Sequence, residues 1–327
     1  VITTDAPEFR VGLAAVQAAA RLTEAVRQEM VSGAGAGRLD KEDRSPVTVA
    51  DFGAQALVAR ALEAAFPYEV LVAEETSAAL REPANAALLA RLAQFVRQQV
   101  QEATEESVTA WIDRGAGTPG GRFWVLDPID GTKGFLRDDQ YAVALALLDD
   151  DTVQWGFLAC PALAHKGQVG VIFVAQQNAG AEAYTLDGTP QGPVTVSDVI
   201  DPAAARLVES VESVHTNFGL SGSLKQILGI TAPTLAMDSQ AKYAAVARGE
   251  ADIYLRSPNA KTPHYREFIW DHAAGWLVVT EAGGRVTDVR GRPLDWTRGQ
   301  RLETNLGIVA TNGHLHDAVV EALSHSL

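Results

Sequence analysis

Four apolar residues, Phe123, Trp124, Val125 and Leu126, run directly into Asp127-Pro128-Ile129-Asp130-Gly131-Thr132. A short apolar run bounded by Pro and Gly predicts a buried strand that stops at a turn. Pro128 fixes its own φ, and Gly131 lets another backbone approach closely. Two carboxylates at one turn can meet a single hard cation, because magnesium takes oxygen ligands. The amides after Asp130 are placed to face an anion at the start of a helix. One turn is thus expected to serve a metal and a phosphate together; the plainer alternative is an acidic turn after a core strand.

At 327 residues the chain is long for one core, which predicts two packed units. Residues 1–190 read as an α+β unit, with helices packed on a large, mostly antiparallel sheet. Residues 191–327 read as an α/β unit, and the Gly/Pro-rich, strand-poor passage 187–194 is the expected boundary. The single Cys160 excludes an internal disulfide framework and a cysteine-built zinc site. It suits a reducing compartment, and a cytoplasmic location is the expectation. No apolar run reaches about 18 residues, so no membrane span is expected. The first ten residues lack a basic stretch followed by an apolar core, so no signal peptide is expected there, while processing upstream of Val1 stays open. A net charge of −14 argues against a nucleic-acid polymer as partner. A small anionic ligand remains compatible if metals and a few basic residues hold it locally. The sequence leaves monomer and homodimer equally open.

Helical spacing of Phe9, Leu13, Val16, Leu22 and Val26 predicts a helix over 8–31. A second is expected over 48–66, with Thr48 or Asp51 as caps, and a third over 85–106. Short apolar runs predict strands at 68–73, 141–148, 153–159, 169–174 and 183–186, with Asp149-Asp150-Asp151 as a solvated hairpin turn. Further strands are expected near 206–208, 234–236, 251–255 and 307–310. Glu74 and Glu75 follow a strand end, where carboxylates often reach a cleft. Ser239 and Lys242 are three apart, so a helix would put them on one face. Asp271 suits a helix start, as a simple N-cap or as something more, and Trp270 reads as core.

D-P-I-D-G-T-K-G-F at 127–135 resembles the signature of the lithium-sensitive, magnesium-dependent phosphomonoesterases of the inositol monophosphatase superfamily. Its Lys133-Gly134-Phe135 ending resembles the 3'(2'),5'-bisphosphate nucleotidase branch, where inositol monophosphatases more often carry Thr-Asn-Phe. D-R-S-P-V-T-V-A-D at 43–51 and W-D-H-A-A-G at 270–275 point the same way. Ala73-Glu74-Glu75 departs from the family's Gly-Glu-Glu at its first position. The resemblance covers nearly the whole chain and implies a layered α-β-α-β-α sandwich.

It also implies roles. Glu74, Asp127 and the Ile129 carbonyl would hold an activating magnesium. Asp127, Asp130 and Asp271 would hold a second, whose place lithium would take, and Glu74 would contact a weaker third. Asp43 and the Thr132 hydroxyl would polarise the attacking water, and the Gly131 and Thr132 amides would hold phosphate oxygens. His215, Ser239, Lys242 and Arg256 would hold a nucleotide. On the residues alone, Asp43 also reads as a charge in a solvated loop, His215 as a surface histidine and Arg256 as a strand-end charge. The implied reaction is loss of the 3' phosphate from 3'-phosphoadenosine 5'-phosphate, or from the corresponding 5'-phosphosulfate. Inositol phosphates, especially inositol 1,4-bisphosphate, are the alternative substrates. A catalytically silent magnesium- or nucleotide-binding regulator is the non-enzyme alternative, disfavoured by the intact set of acids.

Overall fold

The computed structural model describes residues 1–31, 38–40, 46–211, 218–256, 262 and 264–325. Its helices are α1 (Pro7–Val31), α2 (Val49–Ala65), α3 (Ala86–Arg97), α4 (Glu105–Asp113), α5 (Thr132–Leu136), α6 (Phe218–Leu228), α7 (Ala241–Ala247), α8 (Ala273–Glu281) and α9 (His316–Ser324). Strands β1 (Arg38–Asp40) and β2 (Pro46–Thr48) form a small antiparallel pair. The large sheet runs in sequence order through β3 (Val70–Ala73), β4 (Phe123–Asp130), β5 (Ala142–Asp149), β6 (Thr152–His165), β7 (Gln168–Gln176), β8 (Gly180–Tyr184) and β9 (Pro190–Pro193). The smaller sheet uses β10 (Leu207–Glu209), β11 (Leu235–Ala236), β12 (Ile253–Arg256), β13 (Arg285–Thr287) and β14 (Ile308–Thr311), in the order β11-β10-β12-β14-β13. No helix among the described residues is long and apolar enough to cross a membrane.

Alternation along the strands builds the layers, because successive side chains point to opposite faces. Trp124 and Leu126 pack with Phe9, Val16 and Leu62 of α1 and α2. Phe123 and Val125 belong instead to a cluster with Tyr243 and Ala244 of α7 and Leu277 and Val278 of α8. That cluster reaches Tyr254, Val286 and Ala310 on one face of the smaller sheet. The other face of that sheet, through Leu207, Leu255 and Val309, meets Leu224 of α6 and Val319 and Leu323 of α9. The order of layers is therefore α, β, α, β, α. Buried on both faces, the strands read as continuous apolar runs.

Several elements differ from expectation. The helix expected over 85–106 is two helices. Thr104 Oγ1 accepts from the Ser107 amide at 3.1 Å while Ser107 Oγ accepts from the Thr104 amide at 2.9 Å, a reciprocal cap that starts α4 afresh. β4 does not stop at Asp127 but continues to Asp130. The 187–194 passage carries β9, an edge strand with Pro at both ends, where missing amides cost no ladder bond. Asp150 and Asp151 form the expected hairpin turn, with φ of +43° and +67° between the paired Asp149 and Thr152.

Candidate active site

In a regular strand Asp127 and Asp130, three apart, would face opposite sides. Asp127 pairs with Ala144 and Asp130 with Ala142, so three steps along β4 match two along β5. This is a β-bulge, and its extra residue returns Asp130 to the side of Asp127. β3 runs parallel to β4 with Ala73 beside Leu126, so Glu74 emerges next to Asp127. Asp271 arrives from the residues preceding α8. All four acids line one cavity of about 260 Å³.

Asp127 is 2% exposed, and its Oδ1 has no hydrogen-bond partner among the described residues. Burial pushes its carboxyl well above the ordinary range, and the charges of Glu74, Asp130, Asp271 and Asp51 push the same way. Burial also raises Asp271, against the pull of Arg256, and raises Asp130, against Lys242 and Arg256. Bare anions so placed repel strongly even at an effective dielectric of about 20. An orphaned buried oxygen within an all-oxygen donor set fits a hard dication. A neighbouring trio, Glu267, Asp271 and His272, brings ligand atoms within 4.8 Å of one another. There Glu267 is engaged by Arg256 in an ion pair at 2.7 Å and by His272 Nε2 in a hydrogen bond at 3.4 Å.

Cationic and aromatic side chains line the same cavity, among them Lys242, Arg256, Tyr254, Tyr265 and Phe268. Lys242 Nζ donates to the Ser239 carbonyl at 2.6 Å and lies 5.4 Å from the Tyr254 ring centre. Burial lowers its pKa to about 8, with Asp130 partly opposing the drop. Arg256 is steadied through Glu267 and His272, whose Nδ1 lies 2.8 Å from the Tyr243 hydroxyl. Burial alone would raise the Glu267 carboxyl; Arg256 and His272 overcome it and hold it at about 2. Phe268 stacks on Trp270 at 4.3 Å, and the Arg301 guanidinium covers its ring at 3.5 Å.

A model of the inositol monophosphatase family matches residues 7–327. The chain belongs to the inositol monophosphatase family. It is 42% identical over 345 residues to a 3'(2'),5'-bisphosphate nucleotidase of Oryza sativa, covering 98% of this chain and 95% of the relative. A protein of the same name from Emericella nidulans is 41% identical, covering 96% of each. One from Schizosaccharomyces pombe is 41% identical, covering 96% of this chain and 94% of the relative. Among solved structures, the Thermotoga maritima IMPase aligns with a TM-score of 0.65 at 21% identity, covering 97% of this chain and 96% of its own. Extragenic suppressor protein suhB from Bartonella henselae aligns at 0.67 and 20%, covering 98% and 100%. These two likenesses show the fold.

Of the residues singled out by sequence in this inositol monophosphatase family member, Glu74, Asp127, Ile129, Asp130, Gly131, Thr132, Ser239, Lys242, Arg256 and Asp271 all line the one cavity. Asp43 and His215 lie outside the described residues; β1 and β2 flank the segment holding Asp43, and β2 packs against α5. The Thr132 hydroxyl donates to the Ile129 carbonyl at 3.2 Å. Ser239 is not on a helical face with Lys242: its φ is +63°, and α7 begins two residues later. Asp271 is not the N-cap of α8, which is His272. Sequence reasoning missed Gln240, Glu267 and the second role of Asp51. Asp51 stood in plain view within the 43–51 motif, read only as a cap, yet it is 2% exposed and its charge acts on Asp127. A half-buried Glu267 looks in sequence like any surface acid.

Proposed function

We propose that this chain is a magnesium-dependent phosphomonoesterase that removes the 3' phosphate of 3'-phosphoadenosine 5'-phosphate to give AMP and phosphate. One observation carries the reading: five carboxylates, the four above and Asp238, and three cationic side chains, Lys133, Lys242 and Arg256, line a single cavity. Acids alone would suit a cation store, and bases alone an anion binder. The two together suit a phosphate ester held between metal and cations. The nucleotide itself comes from the relatives, which are named 3'(2'),5'-bisphosphate nucleotidases.

Glu74, Asp127 and the Ile129 carbonyl would hold one magnesium, and Asp127, Asp130 and Asp271 a second; Glu74 would touch a weaker third. The Ile129 carbonyl has two lone pairs, so the Thr132 hydroxyl leaves it able to bind. When bound, the ions supply Lewis acidity and neutralise charge on the phosphate. Asp43 and Thr132 orient the attacking water and draw off its proton. The amides of Gly131 and Thr132 receive phosphate oxygens. Lys242 and Arg256, with Ser239 and His215, hold the part of the nucleotide that does not react. Water attacks directly, with no covalent enzyme intermediate, and lithium inhibits by occupying the second ion's place.

The test is phosphate release with magnesium from 3'-phosphoadenosine 5'-phosphate, its 5'-phosphosulfate analogue, inositol 1,4-bisphosphate and inositol 1-phosphate, repeated with lithium. The reading expects the two nucleotides to lead and lithium to suppress them. Faster release from the inositol esters would move the substrate assignment. Magnesium binding without release from any ester would make the chain a regulator.

A further inference from the structure

We infer that Gln240 is a positioning residue that fixes the spacing of Asp130 and Asp271, on which divalent-ion binding depends. This rests on reading the cavity as a magnesium site. Gln240 is 2% exposed and bonds to both acid-bearing segments. Its backbone amide donates to Asp130 Oδ2. Its Nε2 donates to the carbonyl of Trp270 at 2.9 Å, one residue before Asp271. Its Oε1 accepts from the Gly275 amide at 3.1 Å. A single residue thus holds the Asp130 carboxylate at the end of β4 with its main chain and brackets Asp271 with its side chain.

The Gly275 bond has a specific reason. The first amides of a helix have no partner within it. The N-cap of α8, His272, makes no side-chain capping bond. Gln240, the N-cap of α7, supplies that missing acceptor, so the start of α8, with Asp271 just ahead of it, is tied to the start of α7. The carbonyl of Gln240 is also committed, accepting from the Tyr243 amide at 2.9 Å within the first turn of α7. Two carboxylates that repel each other would relax apart if neither the Asp130 side chain nor the backbone around Asp271 were held. Holding them is what a preorganised ion site requires.

The decisive measurement is calorimetric titration of the full chain with magnesium alone, on wild type, Gln240→Met and Gln240→Asn, beside steady-state kinetics. Met keeps the volume and loses both side-chain bonds; Asn keeps an amide too short to span both partners. For Gln240→Met the magnesium Kd is expected to rise about tenfold, while KM for the nucleotide at saturating magnesium changes by less than about threefold. If Gln240→Met does not fold, Gln240→Asn is expected to show a smaller rise in the same direction. An unchanged magnesium Kd in a folded variant with a lowered melting temperature would mean a merely structural role and overturn the inference. Wild-type protein that takes up no magnesium would overturn the cavity reading itself, and the inference with it.

Discussion

Gly131 and Ser239 meet back to back, both with left-handed backbones, at φ of +86° and +63°. A Cβ on Gly131 would lie 2.8 Å from the Ser239 Cβ. The contact joins the turn that follows Asp130 to the turn that precedes α7. Gly131→Ala therefore meets two penalties, a left-handed backbone costing about 1–2 kcal/mol for an L-residue and a clash that must push the turns apart. We expect a melting temperature lowered by several degrees and kcat reduced about tenfold or more, read on one preparation. A variant that melts and turns over like wild type would show that the turns give way freely.

Asp127→Asn separates stability from activity. In chelator the substitution removes one charge from a buried set of repelling acids, so the melting temperature should rise. In magnesium the order should reverse, because wild type gains binding energy that the variant loses. Phosphate release should fall by about a hundredfold or more. Thermal melts in chelator and in magnesium check both halves; a variant less stable than wild type in chelator would refute the repulsion argument.

Lys242→Ala should raise KM for the bisphosphate nucleotide about tenfold, roughly 1.4 kcal/mol, and should scarcely move it for a small phosphate ester. The lysine lines the cavity beside the acids and is held there by the Ser239 carbonyl. Equal effects on both substrates would place Lys242 at the reacting phosphate instead.

His316 makes folding stability depend on pH away from the site. Its Nε2 lies 2.9 Å from the Thr287 hydroxyl and its Nδ1 3.0 Å from that of Thr311. Burial, with Arg285 nearby, lowers its pKa from the ordinary 6.5 to about 4. Below 6.5 the unfolded chain takes up a proton that the folded one refuses until about 4, so this contribution is complete above 6.5 and declines across that window. Melting temperature against pH should show the decline, and His316→Asn should flatten it. Equal slopes in the two proteins would refute the assignment.

Asp127 and Asp130 were legible as a pair because they share one turn after an apolar run; that Glu74 and Asp271 join them was legible through the family resemblance. The five layers were legible through the family resemblance, and the Asp150-Asp151 hairpin through its turn residues. The bulge in β4 was not, because Pro128 inside an apolar run reads as the end of a strand; whether pairing resumes beyond it depends on β5. The break between α3 and α4 was hidden by helix-forming residues on both sides of Thr104. Ser239 outside its helix and Gln240 as a tie between segments are tertiary facts: a neutral side chain between charged neighbours carries no local mark of what it will touch.

The bulge between Asp127 and Asp130 has a bearing on how the chain finds its alignment. Sliding β4 past β5 by one position would heal the ladder, but it would swing Asp130 to the side where α1 and α2 pack. A carboxylate stranded among those apolar side chains has neither water nor counter-ion. The imperfect seam is thus guarded by solvation: a perfect one would carry a misplaced anion.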